Sequence, residues 1–236
     1  MSNDAALFDD ILAAAKKYSP KTEVVPKSTS SMHKFFGAVL KLFGNPLYMS
    51  DYWTTIGFEI AQPGGKEVDK SMWYTVPHET VHAYQAKRLT RPIFGALYLL
   101  GTPVYCVPPL LGSWPLFVWV SWWAGLLFIL PFLLISFPPF GLLRARFEMQ
   151  AYNLSVAQRY WTEGEVTDDY LENRSKQFTS GMYFWMLPFK KTVMKRLNQA
   201  RKDAVSGDVF KHKTYGGYYK SMYNVLLKHG RIKKPY

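Results

Sequence analysis

His78-Glu79-Thr80-Val81-His82 sets two imidazoles four residues apart, with a carboxylate beside the first. On a helix, residues i and i+4 share one face. Both rings can then grip a single zinc ion, and the Glu can hold the attacking water and accept its proton. Met72-Trp73-Tyr74-Thr75-Val76 and Pro77 lead into the motif, and Ala83 to Leu89 carries on without a breaker. One helix can therefore present both rings. The plainer alternative is a surface helix with two solvated histidines.

A catalytic zinc site needs a third protein ligand and an open position. His212 lies between Lys211 and Lys213, where positive charge disfavours a cation, and His229 lies in a basic region. Glu163 and Glu165 flank Gly164 and suit a turn. Glu148 is the best candidate, because Arg144 to Asn153 is rich in helix formers. Its competing role is an i−4 ion pair with Arg144.

The elements around these residues fall into two kinds. From Pro92 to Leu143 the chain has no Asp, Glu, Lys, Arg or His. Within that stretch, Leu116 to Phe137 is almost wholly apolar and long enough for a bilayer core of about 30 Å. Trp114, Trp119, Trp122 and Trp123 crowd its start as an aromatic belt would. Gly101, Pro103, Pro108 and Pro109 break the first half, and Pro131 can bend the second. Lys87, Arg88 and Arg91 precede the stretch, and Arg144 and Arg146 follow it. The positive-inside bias puts both ends on the cytoplasmic side. His82 and Glu148 can share a metal only if the chain between them crosses twice or not at all. A transmembrane hairpin hung from the two ligand helices is therefore expected, with a hydrophobic hairpin buried in protein as the alternative.

The other elements are ordinary by comparison. Asp4 to Tyr18 is an expected amphipathic helix, Pro20 to Ser31 an extended linker and His33 to Phe43 a second helix. Tyr52 to Ala61 alternates and reads as one strand, able to add an extended peptide at its edge. Thr167 can cap a helix over Asp168 to Gln177. The expected organisation has five parts. Residues 1–49 hold the N-terminal helices and linker, and 50–91 the strand and the His-pair helix. Residues 92–143 form the hairpin, 144–205 the Glu148 helix and further helices, and 206–236 a basic aromatic tail. The fold class is mainly α with a small sheet (α+β).

Formal net charge is +12, and the residues from Met186 onward carry 13 Lys/Arg against 2 Asp. Solvation explains such a surface, while anionic lipid or nucleic-acid phosphate would be sharper partners. The single Cys106 excludes an intrachain disulfide and Cys-rich zinc modules. The polar N-terminus, Met1 to Ala5, lacks the basic and apolar regions of a secretory signal.

His78-Glu79-x-x-His82, two apolar segments, then Glu148-x-x-Ala151 resembles the gluzincin metallopeptidases over about residues 50–160. It is similar to their integral-membrane branch, which includes CAAX prenyl endopeptidase and the bacterial membrane heat-shock protease. The resemblance implies a membrane-associated endopeptidase with its catalytic side cytoplasmic and a peptide or protein substrate. Zinc would sit on His78, His82 and Glu148, with Glu79 as general base. Tyr152, Tyr215 and Tyr218 are candidate donors to the oxyanion or supports of the ligands. That family usually has Asp four residues after the ligand Glu, whereas Tyr152 stands here. The competing class is not an enzyme: a structural or membrane-penetrating protein, for example a virion component within a larger assembly, that keeps the zinc site for stability.

Overall fold

The computed structural model describes residues 3–42, 46–99, 122–135, 138–180 and 186–235. Helices dominate, and a three-stranded sheet of order β1-β3-β2 completes the α+β class. In chain order the elements are α1 (Asn3–Tyr18), β1 (Glu23–Pro26), α2 (Ser31–Leu42), β2 (Thr54–Ile56), β3 (Glu59–Gln62), α3 (Val76–Leu89) and α4 (Arg91–Leu99). Then come α5 (Trp122–Ile135), α6 (Pro138–Glu163), α7 (Asp168–Thr179), α8 (Lys190–Ser206) and α9 (Gly216–Lys228).

The long helix α6 is the axis of the molecule. One flank, through Ala151, Leu154, Ala157 and Trp161, packs on Leu7, Phe8 and Ile11 of α1, Val81 of α3, and Tyr219 and Met222 of α9. Another flank, through Ala145, Met149, Tyr152 and Val156, packs on Leu171 and Phe178 of α7 and Val193 and Leu197 of α8. Leu154, Trp161, Leu171 and Leu197 have no exposed surface, and burying a side chain of this kind contributes roughly 1.5–3 kcal/mol. Thr167 caps α7 as expected, its side chain accepting from the Tyr170 backbone N–H.

Two sequence expectations need correction at the sheet. The linker after α1 contains β1, which pairs in parallel with β3 from Glu23↔Glu59 to Pro26↔Gln62. The single strand expected from Tyr52 to Ala61 is a hairpin, β2 and β3, with Ile56 opposite Glu59. Its two-residue loop needs positive φ, which Gly57 supplies at +68°. Alternation alone does not register such a reversal.

The C-terminal region is not a free tail. Helix α9 buries Tyr218, Tyr219, Met222 and Leu226 in the core. Lys228 and His229 each meet Asp10 at 2.7 Å, and Arg231 meets Asp4. Part of the C-terminal positive charge is thereby paired with α1. Lys213, Lys220, Lys233 and Lys234 remain exposed.

The expected transmembrane hairpin has no counterpart among the described residues, where no helix is long and apolar enough to cross a membrane. Helix α5 has 14 residues, about 21 Å at 1.5 Å per residue, against the roughly 30 Å needed. Residues 100–121, 136 and 137, which hold much of the expected hairpin, lie outside the described residues. The two ends of the stretch belong to the body of the domain. Leu142 and Leu143 fall within α6, and α4 folds back onto α3.

Lys27 is fully buried, its Nζ donating to Tyr48 O at 2.6 Å and to Tyr52 O and lying 3.8 Å from the Tyr48 ring centre. Burial pushes its ammonium down to about 7, against the opposing pull of Glu79. The unfolded side chain titrates near 10.5. Between these values the unfolded chain binds the extra proton, so the folded state gains stability as pH rises. Unfolding free energy of the wild type, taken relative to Lys27→Met, should therefore climb from about pH 7 to about pH 10 and be flat below that window. His82 titrates in the opposite sense nearby but is common to both proteins and cancels. Urea unfolding at several pH values measures the difference. A difference independent of pH would remove Lys27 as its source.

Candidate metal centre

Helices α3 and α6 run antiparallel, and three hydrogen bonds fix their register. Gln158 Nε2 donates to Tyr74 O (3.2 Å), His78 Nδ1 meets Ser155 Oγ (3.0 Å), and Gln85 Nε2 donates to Phe147 O (3.1 Å). This register brings Glu148 under the histidine pair. Its Oε2 lies 3.4 Å from His78 Nε2 and 3.7 Å from His82 Nε2. One ligand atom from each of the three residues lies within 4.8 Å of the others. A tetrahedral site with bonds of 2.0–2.2 Å has edges of roughly 3.3–3.6 Å. The three donors could therefore hold a metal ion between them.

The electrostatics are those of a buried charged cluster. Burial acts to raise the Glu148 pKa, but His82 and His78 against it hold the carboxyl well below the usual range. Burial acts to lower the His82 pKa, yet Glu148 outweighs it and the ring is pushed up to about 9.

Each imidazole is oriented from behind. With Nε2 turned to the metal position, Nδ1 carries the proton, and Ser155 Oγ and Gln85 Oε1 (2.9 Å) accept it. Ser155 Oγ donates onward to Ala151 O (3.3 Å). Gln85 Nε2 donates also to Gln150 Oε1 (2.9 Å), which accepts from Tyr215 OH (3.0 Å). A polar chain thus runs from Tyr215, just before α9, through α6 to His82 on α3. Glu79 lies outside the three-ligand group, its Oε2 accepting from Thr55 Oγ1 of β2 at 2.7 Å.

The three tyrosines singled out in the sequence go to three different places. Tyr152 packs edge-on against His78, ring centres 4.7 Å apart, and hydrogen-bonds Arg174. It supports His78 by packing. Tyr215 reaches His82 through Gln150 and Gln85. The Tyr218 hydroxyl is bonded to Thr80 and the ring packs on Tyr18 and Tyr84, so the residue braces α3. Four residues that touch the centre were not singled out: Gln85, Ser155, Thr55 and Tyr98. Gln85 and Ser155 carried a signal, lying three residues after His82 and seven after Glu148 on the ligand-bearing faces. Thr55 and Tyr98 carried none.

Comparison of the chain with protein-family models, with curated proteins and with solved structures finds no match. The functional reading rests on the geometry of this centre.

One metal ion per chain is expected, with uptake lost in Glu148→Ala. Gln85→Ala should keep the ion but weaken binding about ten- to hundredfold. Titration against a competing chelator measures both. Wild-type affinity in Gln85→Ala would mean that His82 needs no support from that side.

Proposed function

We propose that this chain is a zinc-dependent endopeptidase of the gluzincin kind. The observation that carries the reading is the convergence of half-buried His78 with buried His82 and Glu148, with the Glu79 carboxylate alongside and held by Thr55. When bound, zinc supplies Lewis acidity that polarises a carbonyl oxygen and acidifies a water. Every other task falls to the chain. Glu79 takes the proton from the attacking water and returns it to the leaving amine. The hydrogen bond from Thr55 fixes which way the Glu79 carboxylate faces, and burial keeps bulk water from competing with it. Gln85 and Ser155 hold the two imidazoles as Nδ1–H donors.

An extended peptide or protein segment is the substrate class this arrangement suits. Strand β2 pairs with β3 on one side only among the described residues, and it is the strand that touches Glu79. A peptide added to its open edge would gain backbone hydrogen bonds beside the base.

The same proposal places the enzyme at a membrane, with its catalytic side cytoplasmic. Trp122, Trp123, Leu127, Phe128 and Leu130 of α5 are exposed, as are Leu142 and Leu143 of α6, a concentration of apolar surface that suits a partner or a lipid face.

Glu79→Gln should retain one zinc per chain while hydrolysis of unstructured peptides falls by about 10²–10⁴. Elemental analysis and peptide mass spectrometry read the two quantities separately. Unchanged hydrolysis in the metal-loaded variant would overturn the peptidase reading and leave the metal centre standing.

A further inference from the structure

Helix α4 opens nine residues after the second histidine and turns back over the metal centre. The reversal is made at Thr90, whose φ of 69° is the single positive value outside glycine among the described residues. A β-branched side chain resists that conformation, and such strain persists only where surrounding contacts enforce it. The contacts are plain. Arg91 lies across the β2–β3 turn, where a Cβ on Gly57 would come within 2.6 Å of its Nε. Phe94 is buried against Phe147 and lies beside His82, with ring centres 5.2 and 6.3 Å away. One turn further on, the Tyr98 ring meets His82 edge-on at 5.4 Å, and the Arg144 guanidinium lies over it at 5.2 Å. So placed, the Tyr98 hydroxyl donates to Glu148 Oε1.

The two oxygens of Glu148 are thereby given different tasks. Oε2 faces both imidazoles, and Oε1 is taken by Tyr98. A carboxylate free to swing can close on a metal through both oxygens and fill the position a water or substrate needs. We propose that Tyr98 is a positioning residue that restricts Glu148 to one oxygen toward the metal and so keeps a coordination position open. This rests on the metal centre but not on the identity of the reaction. Tyr98 touches neither substrate nor the reacting atoms; it acts through Glu148.

The test uses the full chain loaded with cobalt(II) in place of zinc. Tyr98→Phe removes the hydroxyl and keeps the ring against His82. The wild type should show the intense visible absorption of a four-coordinate ion. The variant should bind one cobalt per chain yet lose that band for the weak absorption of a higher-coordinate ion, as Glu148 closes through both oxygens. A purely structural role for the ring would leave the spectrum unmoved, and an identical spectrum at equal cobalt content overturns the proposal. X-ray absorption of the zinc-loaded wild type needs no variant, and a short metal–carbon distance, the mark of a two-oxygen carboxylate, would overturn it as well. A wild-type chain that takes up no cobalt overturns the metal centre and the role of Tyr98 with it. Cobalt bound as expected without peptide hydrolysis removes only the peptidase reading.

Discussion

Taking a carboxylate out of water costs several kcal/mol unless charge and hydrogen bonds meet it, and Glu148 is met from three sides. His78 and His82 face one oxygen while Tyr98 holds the other. None of these partners is a sequence neighbour of Glu148. Their convergence depends on α3, α4 and α6 being packed in one register. That register in turn depends on apolar burial along α6, where Leu154 and Val156 leave no surface to solvent.

The supports behind the ligands show how the fold spreads this requirement. Gln85 ties His82 to the α6 backbone and, through Gln150, to Tyr215 near the start of α9. Tyr219 of α9 donates to Gln150 O at 2.7 Å. Tyr218 braces α3 through Thr80, and α1 closes the same core with Leu7 and Ile11. Residues near both ends of the chain therefore bear on ligands near its middle. A neutral amide is a weaker polariser of an imidazole than a carboxylate. At His82 that partner is the Gln85 amide. Its compensation is rigidity, since the amide is held at three points.

The apolar stretch has a divided role. Its first helix, α4, is part of the centre, bringing Phe94 and Tyr98 to His82. Helix α5 carries no charge and exposes two stacked tryptophans, Trp122 and Trp123, at its start. An uncharged run of residues need not be one structural unit. Polar hydroxyls such as that of Tyr98 are compatible with an apolar segment, and one of them is enough to tie that segment to a buried carboxylate.

By itself the sequence determined what depends on short range. The His78/His82 face follows from helical periodicity, α1 and α2 from their amphipathic patterns, and the start of α7 from Thr167. Glu148 was reachable because it is the first acidic residue after the histidines and it sits in a helical pattern. Local pattern could not see β1, which pairs with a strand about 36 residues away, nor the Gly57 reversal within an alternating run. Tertiary structure alone decided the rest. It made Tyr152 a packing support, Tyr218 a brace and Tyr215 a distant anchor, and it brought Thr55 and Tyr98 to Glu79 and Glu148. The physical reason is register. Which side chains meet across two packed helices, or across a helix and a strand, is set by how their surfaces interlock, and that information is spread over the whole core.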